Sequence, residues 1–282
     1  MARNYPYLIA GLPELSFLSG DSQTLTHDFD FLNIRDSILE EVSAKDALHV
    51  YDLLSDIDNY NLITLIYGKK RQWKNGGQIE EQTLTDLKNR DLPAYLAAFI
   101  TYIEEYENEN KAKPNELAAE RYLYELWYDK LEASKNKFIA QWFRFDREIR
   151  NIKAAYAGRQ LETSDNRLIK EDDDITQSLL KNTSPDFGLS KETDYAPELF
   201  RALETDNLLE REINLDKLRW NQIDEINTFE YFTIDVALGV LQKARIANRW
   251  KALELEKGKK IFDELIAGLK QTAENETPAT AL

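Results

Sequence analysis

The residues best placed to perform chemistry in this chain are carboxylates spaced for one face of a helix. Helical nucleotide hydrolases bind magnesium through carboxylates three or four residues apart, because such residues are neighbours on a helix surface. Two sets have this spacing, namely Glu104 with Glu107, and Glu125 with Asp129 and Glu132. The chain contains 51 acidic residues, however, so such spacings are also expected on an ordinary solvated surface. A magnesium-dependent hydrolase is therefore the least favoured of three interpretations.

Other metal and phosphate sites are not indicated by the sequence. Neither of the two histidines, His27 and His49, belongs to a His-x(3)-His or Glu-x-x-His pair. Residues 171–174 start like a calcium loop, but the glycine and the closing glutamate of that loop are missing, so a solvated acidic run is preferred. Phosphate-binding glycine motifs and Gly-x-Ser-x-Gly are absent. We predict no catalytic residue, no metal or cofactor site, and no enzyme activity.

The charge of the chain restricts its partners. A net charge of −15 would on average repel phosphate groups and anionic lipids, so neither nucleic acid nor a bare membrane is expected as a partner. The basic stretch 69–74 interleaves Trp73, as single-strand binders do, but it is brief and borders a Gly-Gly turn. A solvated loop or a docking point for an acidic partner is preferred there. The acidic excess between residues 14 and 60 would suit a basic protein partner.

Composition indicates a cytoplasmic, packed protein. Cysteine is absent, which fits a reducing compartment and excludes thiolate chemistry. The start of the chain lacks the basic and long apolar regions of a secretory signal. Apolar runs are far shorter than the roughly 20 residues that a membrane helix requires, so direct membrane insertion is not expected. A hydrophobic content of 43% in 282 residues is sufficient for a substantial core.

Helical periodicity dominates the elements that must position any site. Residues 5–13 are the exception and are expected to form a short extended segment ended by a Gly/Pro turn. Residues 32–67 are expected to form three short helices, separated near Ser43 and Ser55. After a loop at 73–78, a helix starting near residue 83 is expected to restart at Pro93.

The clearest helix is predicted to begin at Pro114 and to continue to Tyr156. Its roughly 43 residues would span about 65 Å, which predicts an elongated molecule. Apolar residues recur seven apart along it, as in helices that pack lengthwise on others: Leu117, Tyr124, Leu131, Phe138, Phe145 and Ile152. A polar connection follows at 159–196 with one short helix at 173–181, and helical periodicity resumes at Pro197.

A second series of residues seven apart marks the last long helix. It consists of Ile234, Leu241, Asn248, Leu255, Phe262 and Leu269. Asn248 is its one polar member, and a single asparagine within an apolar seam can fix the register of packed helices. The tail at 271–282 has no core residues and is expected to be disordered.

Three segments of the chain resemble one another at intervals close to a third of its length. Each reads Ile-x-Asn, at residues 57–59, 149–151 and 246–248, and each is followed by a glycine and a basic residue. Such spacing indicates a triplicated helical scaffold. We therefore predict an all-α fold in which residues 1–270 form a single elongated domain. Its pseudo-repeats would cover about 1–90, 91–190 and 191–270, as three similar helical bundles.

Residues 146–154, Asp-Arg-Glu-Ile-Arg-Asn-Ile-Lys-Ala, resemble an acid-x-x-Asn-apolar signature. The signature is that of the C subunit of archaeal and bacterial A/V-type ATPases, called subunit d in eukaryotes. The opening residues 5–15 look like a divergent bacterial family that accompanies V-type ATPase subunits and is taken to fill the C-subunit place. That second resemblance covers most of the chain. The likeness to the C subunit itself covers only residues 146–154 and 245–252, and Arg245 stands where the signature has an acid.

The resemblance implies an all-helical funnel of three similar bundles. It also implies a non-catalytic subunit that sits on the membrane rotor ring and receives the tip of the central stalk. Such a subunit passes torque between ATP hydrolysis and ion or proton transport, and it is peripheral on the membrane through its partner subunits. The residues that bind these partners are not assigned by the sequence, although exposed charged surfaces are expected. An unrelated helical scaffold or adaptor is the second interpretation.

Overall fold

The computed structural model describes residues 3–17, 29–68, 72–85, 92–162, 168–169 and 173–252. In these residues the chain forms eleven α-helices, one short 3-10 helix at Leu189–Lys191 and no β-strand, so the predicted all-α fold is confirmed. The helices are α1 (Pro6–Gly11), α2 (Phe31–Glu41), α3 (Ala44–Tyr67), α4 (Glu81–Thr85), α5 (Ala94–Asn110), α6 (Glu116–Glu132), α7 (Lys137–Gln160), α8 (Asp174–Lys181), α9 (Ala196–Leu203), α10 (Leu208–Ile226) and α11 (Ile234–Ala252). No helix in these ranges is long and apolar enough to span a bilayer. The tail predicted to be disordered lies outside the described residues.

The N-terminal segment is a helix, so the prediction of an extended segment is wrong. Pro6 occupies the first turn of α1, where its fixed φ is suitable and its missing N–H is not needed. Leu8 is buried, and the N–H of Tyr5 donates to the carbonyl of Phe232 at 2.7 Å. A helix of six residues is marginal by itself, so its packing on the distant turn before α11 stabilises it.

Residues 32–67 contain two helices, not the expected three. The side chain of Ser43 caps α3 by accepting from the N–H of Asp46 at 3.2 Å, as its position predicted. The helix continues through Ser55, where a second break was expected. The Ser55 hydroxyl donates to the carbonyl of Asp52 at 2.7 Å and accepts the indole N–H of Trp127 at 2.7 Å. The Ser55 hydroxyl, which was expected to cap a new helix, is therefore bound by Trp127 of another helix, and α3 continues through this residue.

The long helix predicted from Pro114 to Tyr156 is interrupted at residues 133–136. Asn136 caps the new helix, since its side chain accepts from the N–H of Ile139 at 2.8 Å. The two pieces, α6 and α7, pack antiparallel: Trp127 lies edge-on to Phe143 with ring centroids 5.0 Å apart. At 24 residues α7 spans only about 36 Å, so the predicted length of about 65 Å is wrong.

Helix α7 is the central element of the described fold. It packs against α3, α6, α8, α10 and α11. Two rows of its residues are buried. The first row is apolar and consists of Phe138, Trp142, Phe145, Ile149 and Ile152. The second row begins with the apolar Ile139 and Phe143 and ends with the polar Arg147 and Asn151. Because the second row places a cation and an amide in the interior, their partners must come from the surrounding helices.

Helix α11 joins the end of the described chain to its beginning. It packs against α1, α2 and α3 as well as α7 and α10.

Three further local predictions are confirmed: Pro93 precedes α5, the segment at 73–78 is a loop, and a short helix occupies 174–181.

Candidate functional site

A buried ion network on α7 forms the most distinctive polar site of the structure. The Arg147 residue is 2% exposed. Its Nε lies 2.5 Å from Oε1 of Glu132 on α6 and its Nη2 lies 3.2 Å from the second carboxylate oxygen, so the pair is bidentate. Its Nη1 lies 2.5 Å from Oδ2 of Asp173, whose other oxygen caps α8 by accepting from the N–H of Thr176 at 2.9 Å. One guanidinium therefore connects α6, α7 and α8.

The electrostatics of this network keep the guanidinium charged. Burial disfavours its charged form, but the hydrogen bonds and negative charge of Glu132, together with the charge of Asp173, outweigh that effect. The pKa of Arg147 is consequently raised above its ordinary value. Separating Arg147 from Glu132 is expected to be costly, because each charge would then be left in the interior without its partner.

Asn151, one turn after Arg147, both donates to and accepts from the backbone of a residue that is distant in sequence. Its Oδ1 accepts from the N–H of Ile169 at 2.9 Å, and its Nδ2 donates to the carbonyl of Ile169 at 2.7 Å. The same Nδ2 donates to the hydroxyl of Thr176 on α8 at 3.1 Å. Asn151 is fully buried, so these bonds satisfy an amide that has no access to water.

Other polar residues of segment 146–154 also contact neighbouring elements. The hydroxyl of Tyr128 donates to Asp146 at 2.6 Å, and the hydroxyl of Tyr195 donates to Glu148 at 2.6 Å. Burial raises the pKa of Glu148, and the bond from Tyr195 only partly opposes this. The Arg150 guanidinium lies 4.0 Å from the ring centroid of Tyr124. The segment that resembles a family signature is therefore a junction between helices.

The first Ile-x-Asn segment contains a comparable arrangement, shifted by two residues. Asn61 is buried, its Nδ2 donates to the carbonyl of Lys74 at 2.9 Å, and its Oδ1 accepts from the N–H of Lys74 at 3.0 Å. Asn59 itself accepts from the hydroxyl of Tyr95 at 2.9 Å. A buried asparagine that binds both backbone groups of one later residue thus occurs on α3 and on α7.

The third segment lacks such an arrangement, and the predicted place of Asn248 in an apolar seam is wrong. Asn248 is exposed on α11, where the buried positions around it are Ala244, Ile246 and Ala247. Arg245, which departs from the family signature, lies 2.7 Å from Asp56 on α3 and donates to the carbonyl of Leu53 at 2.9 Å. Arg245, directly before the third segment, therefore connects α11 to α3.

Asp58 attaches the loop after α3 and was not singled out by the sequence. It is 2% exposed and accepts from the N–H groups of Gln78 at 3.1 Å and Ile79 at 3.2 Å. The loop approaches so closely that a Cβ on Gly77 would lie 2.2 Å from Oδ1 of Asp58. A sequence signal did exist, because Asp58 and Asn61 are three residues apart on one helix face and precede a Gly-Gly loop.

We expect Asp58 to make stability fall as pH rises. Burial raises its pKa to about 6 from 3.8, although the two backbone hydrogen bonds lower it. Between these values the folded protein holds a proton that the unfolded chain has lost. The contribution of Asp58 to the free energy of unfolding should therefore decrease by about 2.5 kcal/mol as pH rises from 4 to 7.

Urea unfolding of the wild type and of Asp58→Asn across this range measures that contribution. The amide cannot ionise, so the variant should gain stability relative to the wild type as pH rises. Because the other carboxyl groups are common to both proteins, the difference between the two isolates Asp58. A difference that does not change with pH would contradict the expectation.

The carboxylates considered for magnesium are not assembled into a site. Glu104 and Glu107 are exposed on α5, and Asp129 is exposed on α6 beside the half-buried Glu125. Glu132 is bound to Arg147. Within the described ranges no group of three or more acidic or histidine side chains is placed to hold a metal ion.

The remaining sequence candidates are partly outside the described residues. His27, residues 69–71 and residues 171–172 are among those not described. His49 has its Nδ1 4.0 Å from a carboxylate oxygen of Asp52. The ammonium group of Lys74, at the end of the basic stretch, lies 3.8 Å from the ring centroid of Tyr60, so it covers an aromatic face of the same protein.

A family model described as "Protein of unknown function (DUF2764)" matches residues 1–273. The chain belongs to this family. No curated protein matches the chain, and no solved structure matches it. The matched region contains the network of Arg147, both backbone-binding asparagines and the Asp58 loop, so these features belong to the family region of the chain.

Proposed function

We propose that this chain is a non-catalytic coupling subunit of a bacterial V-type rotary ATPase, located between the central stalk and the membrane rotor ring. The resemblance of residues 146–154 and of the opening segment to that group of proteins motivates the proposal. The observation that carries it is the ion network in which Arg147 binds Glu132 and Asp173 inside the protein. Arg147, the centre of this network, lies within the segment that bears the resemblance.

A subunit that transmits torque needs helices that keep their relative positions under load. Apolar packing alone allows side chains of similar volume to exchange contacts at small cost. A buried guanidinium that is bidentate to Glu132 has one low-energy arrangement, since any sliding leaves a desolvated charge without its partner. Asn151 adds the same constraint between α7 and residue 169. These contacts support a mechanical role and require no cofactor.

The proposed partners are the stalk and ring subunits, which would hold the protein at the cytoplasmic face of the membrane without insertion. With a net charge of −15, the chain would bind complementary basic surfaces and would be repelled by anionic lipids. The attachment would therefore be made through protein.

Binding of the full-length protein to purified stalk subunits and to the detergent-solubilised rotor ring tests this proposal. We expect a stable complex with both, and co-purification with V-type ATPase subunits from membranes. Binding to neither would contradict the proposal and would favour a helical adaptor with other partners. Magnesium-dependent nucleotide hydrolysis that disappears in Glu104→Gln/Glu107→Gln would instead indicate an enzyme.

A further inference from the structure

An exposed aromatic turn connects α10 to α11. Three of the residues in this segment, 227–233, expose large apolar side chains: Phe229 is 81% exposed, Tyr231 69% and Phe232 49%. Tyr7 on α1 is 90% exposed. The N–H of Tyr5 donates to the carbonyl of Phe232, so the start of α1 lies beside the aromatic turn. The Cα atom of Tyr7 is at most about 8 Å from that of Tyr5, at 3.8 Å per residue. Exposed aromatic residues gathered at one place are typical of protein interfaces.

The exposure does not result from a loosely held loop. The N–H of Glu230 donates to the carbonyl of Asn227 at 2.9 Å, and the hydroxyl of Thr233 donates to the Glu230 carboxylate at 3.0 Å. The side-chain amide of Asn227 donates to the carbonyl of Asp235 at 3.1 Å. Gly239 permits this approach, because a Cβ there would lie 2.2 Å from the Asn227 amide nitrogen. The aromatic turn is therefore ordered with its rings outward, which lowers the entropy cost of binding a partner.

Helix α7 also contacts the aromatic turn, through Lys137. The ammonium group of Lys137, at the start of α7, donates to the carbonyl of Ile226 at 3.4 Å and lies 3.7 Å from the Glu230 carboxylate. The aromatic turn therefore contacts the start of α7, the helix that also contains Arg147.

The charge of the chain favours a basic partner for the aromatic turn. Asp224 and Glu225 are exposed in the last turn of α10, directly before the segment. Asp224 lies 2.5 Å from the ammonium group of Lys243, and Glu230 in the turn is paired with Lys137. Glu225 adds an exposed carboxylate, and the whole chain carries a net charge of −15. An anionic bilayer would be repelled by this environment, although aromatic residues alone would suit a membrane interface. A basic protein surface is attracted by it, and an apolar stripe on that surface would cover the rings.

We propose that the aromatic turn is the docking surface for a partner helix whose apolar stripe is flanked by lysine or arginine. That this helix belongs to a stalk or ring subunit rests on the proposed function. The chemistry of the surface, outward aromatic rings beside exposed carboxylates, does not depend on it.

A labelled synthetic helix provides the direct test. The probe is a peptide of about 18 residues, five helical turns, with leucine on one face and lysine on the other. Its affinity for the full-length protein is measured by fluorescence anisotropy. We expect binding that weakens about tenfold or more in Phe229→Ser/Tyr231→Ser/Phe232→Ser, since few aromatic residues usually dominate an interface. A peptide with glutamate in place of lysine is expected not to bind.

The matched control changes exposed apolar residues at the start of α10, the end of that helix opposite to the aromatic turn. Leu208 is 69% exposed and Leu209 39%, so Leu208→Gln/Leu209→Gln removes exposed apolar surface away from the aromatic turn. This variant should bind the peptide as the wild type does. Urea unfolding verifies that each variant is folded, and Phe229→Ser alone replaces the triple variant if the latter fails to fold. Equal affinity in all proteins, or no binding by the wild type, would overturn the proposal.

Two further measurements separate this inference from the proposed function. If the wild type binds the leucine–lysine peptide through the aromatic turn but binds no stalk or ring subunit, the docking surface stands and the proposed function fails. If stalk or ring subunits bind the wild type and the triple variant equally, the function stands and the aromatic turn is not the docking surface. Aromatic-dependent binding to vesicles of phosphatidylcholine and phosphatidylserine would show a lipid surface and would also overturn the inference.

Discussion

Replacing Arg147 by methionine is expected to lower the free energy of unfolding by about 3–5 kcal/mol. The substitution keeps most of the side-chain volume but removes the charge that pairs with Glu132, whose side chain is 8% exposed, and with Asp173. Two carboxylates would then remain without the cation that pairs with them, and that of Glu132 would be almost fully buried. Urea unfolding followed by circular dichroism measures the loss.

Arg144→Met is the matched control, because Arg144 lies one turn earlier on the same helix and is exposed. Its effect should stay within about 0.5 kcal/mol, as for most surface substitutions. The double variant Arg147→Met/Glu132→Gln should recover part of the stability lost in Arg147→Met, since the buried negative charge is then removed as well. Equal stability of Arg147→Met and Arg144→Met would show that the network contributes little.

Asn151→Asp is expected to cost about 2–4 kcal/mol, although the two side chains have nearly the same shape. The Asn151 amide donates to the carbonyl of Ile169 and to the hydroxyl of Thr176 in a fully buried position. A carboxylate oxygen at that place would face the carbonyl oxygen of Ile169 and repel it. Below the pKa of the introduced carboxyl, a protonated acid can again donate, so the loss should shrink as pH falls.

Asn61 and Asn248 supply the controls for this experiment. Asn61→Asp should behave like Asn151→Asp, since Asn61 donates to the carbonyl of Lys74 in the same manner. Asn248→Asp should change stability by less than about 0.5 kcal/mol, because Asn248 is exposed. Equal losses at residues 151 and 248 would contradict the assignment of different roles to the segments.

Local signals in the sequence were sufficient for the helical class and for several helix ends. Ser43, Pro93 and the acidic start of the helix at 174–181 have side chains or fixed dihedral angles that act within one turn, so no distant residue is needed to place them. The interruption at residues 133–136 was not predicted, although Asn136 is a local capping residue of the same kind. Apolar residues continue seven apart across it, and the antiparallel arrangement is held by contacts between α6 and α7 such as the Trp127–Phe143 packing and the Arg147–Glu132 pair.

In the candidate site, too, the sequence indicated the segment but not the partners of its side chains. Resemblance directed attention to residues 146–154, but the partners of Arg147 and Asn151 lie 15, 26 and 18 residues away along the chain, at Glu132, Asp173 and Ile169. With 51 acidic residues available, charge alone does not select two of them. The aromatic turn is similar: the sequence contains Phe229, Tyr231 and Phe232, yet their exposure depends on hydrogen bonds made by Asn227 and Thr233.

Composition and apolar periodicity are enough to predict an acidic, cysteine-free, all-helical protein, because they act through local hydrogen bonding and average burial. The three Ile-x-Asn segments are also visible in the sequence, but their spacing is the same whether the asparagine lies in the interior or in water. The packing of the helices places Asn151 against the backbone of a later residue and Asn248 in solvent. A buried amide requires a partner supplied by another part of the chain, and the folded arrangement alone determines which part lies opposite it.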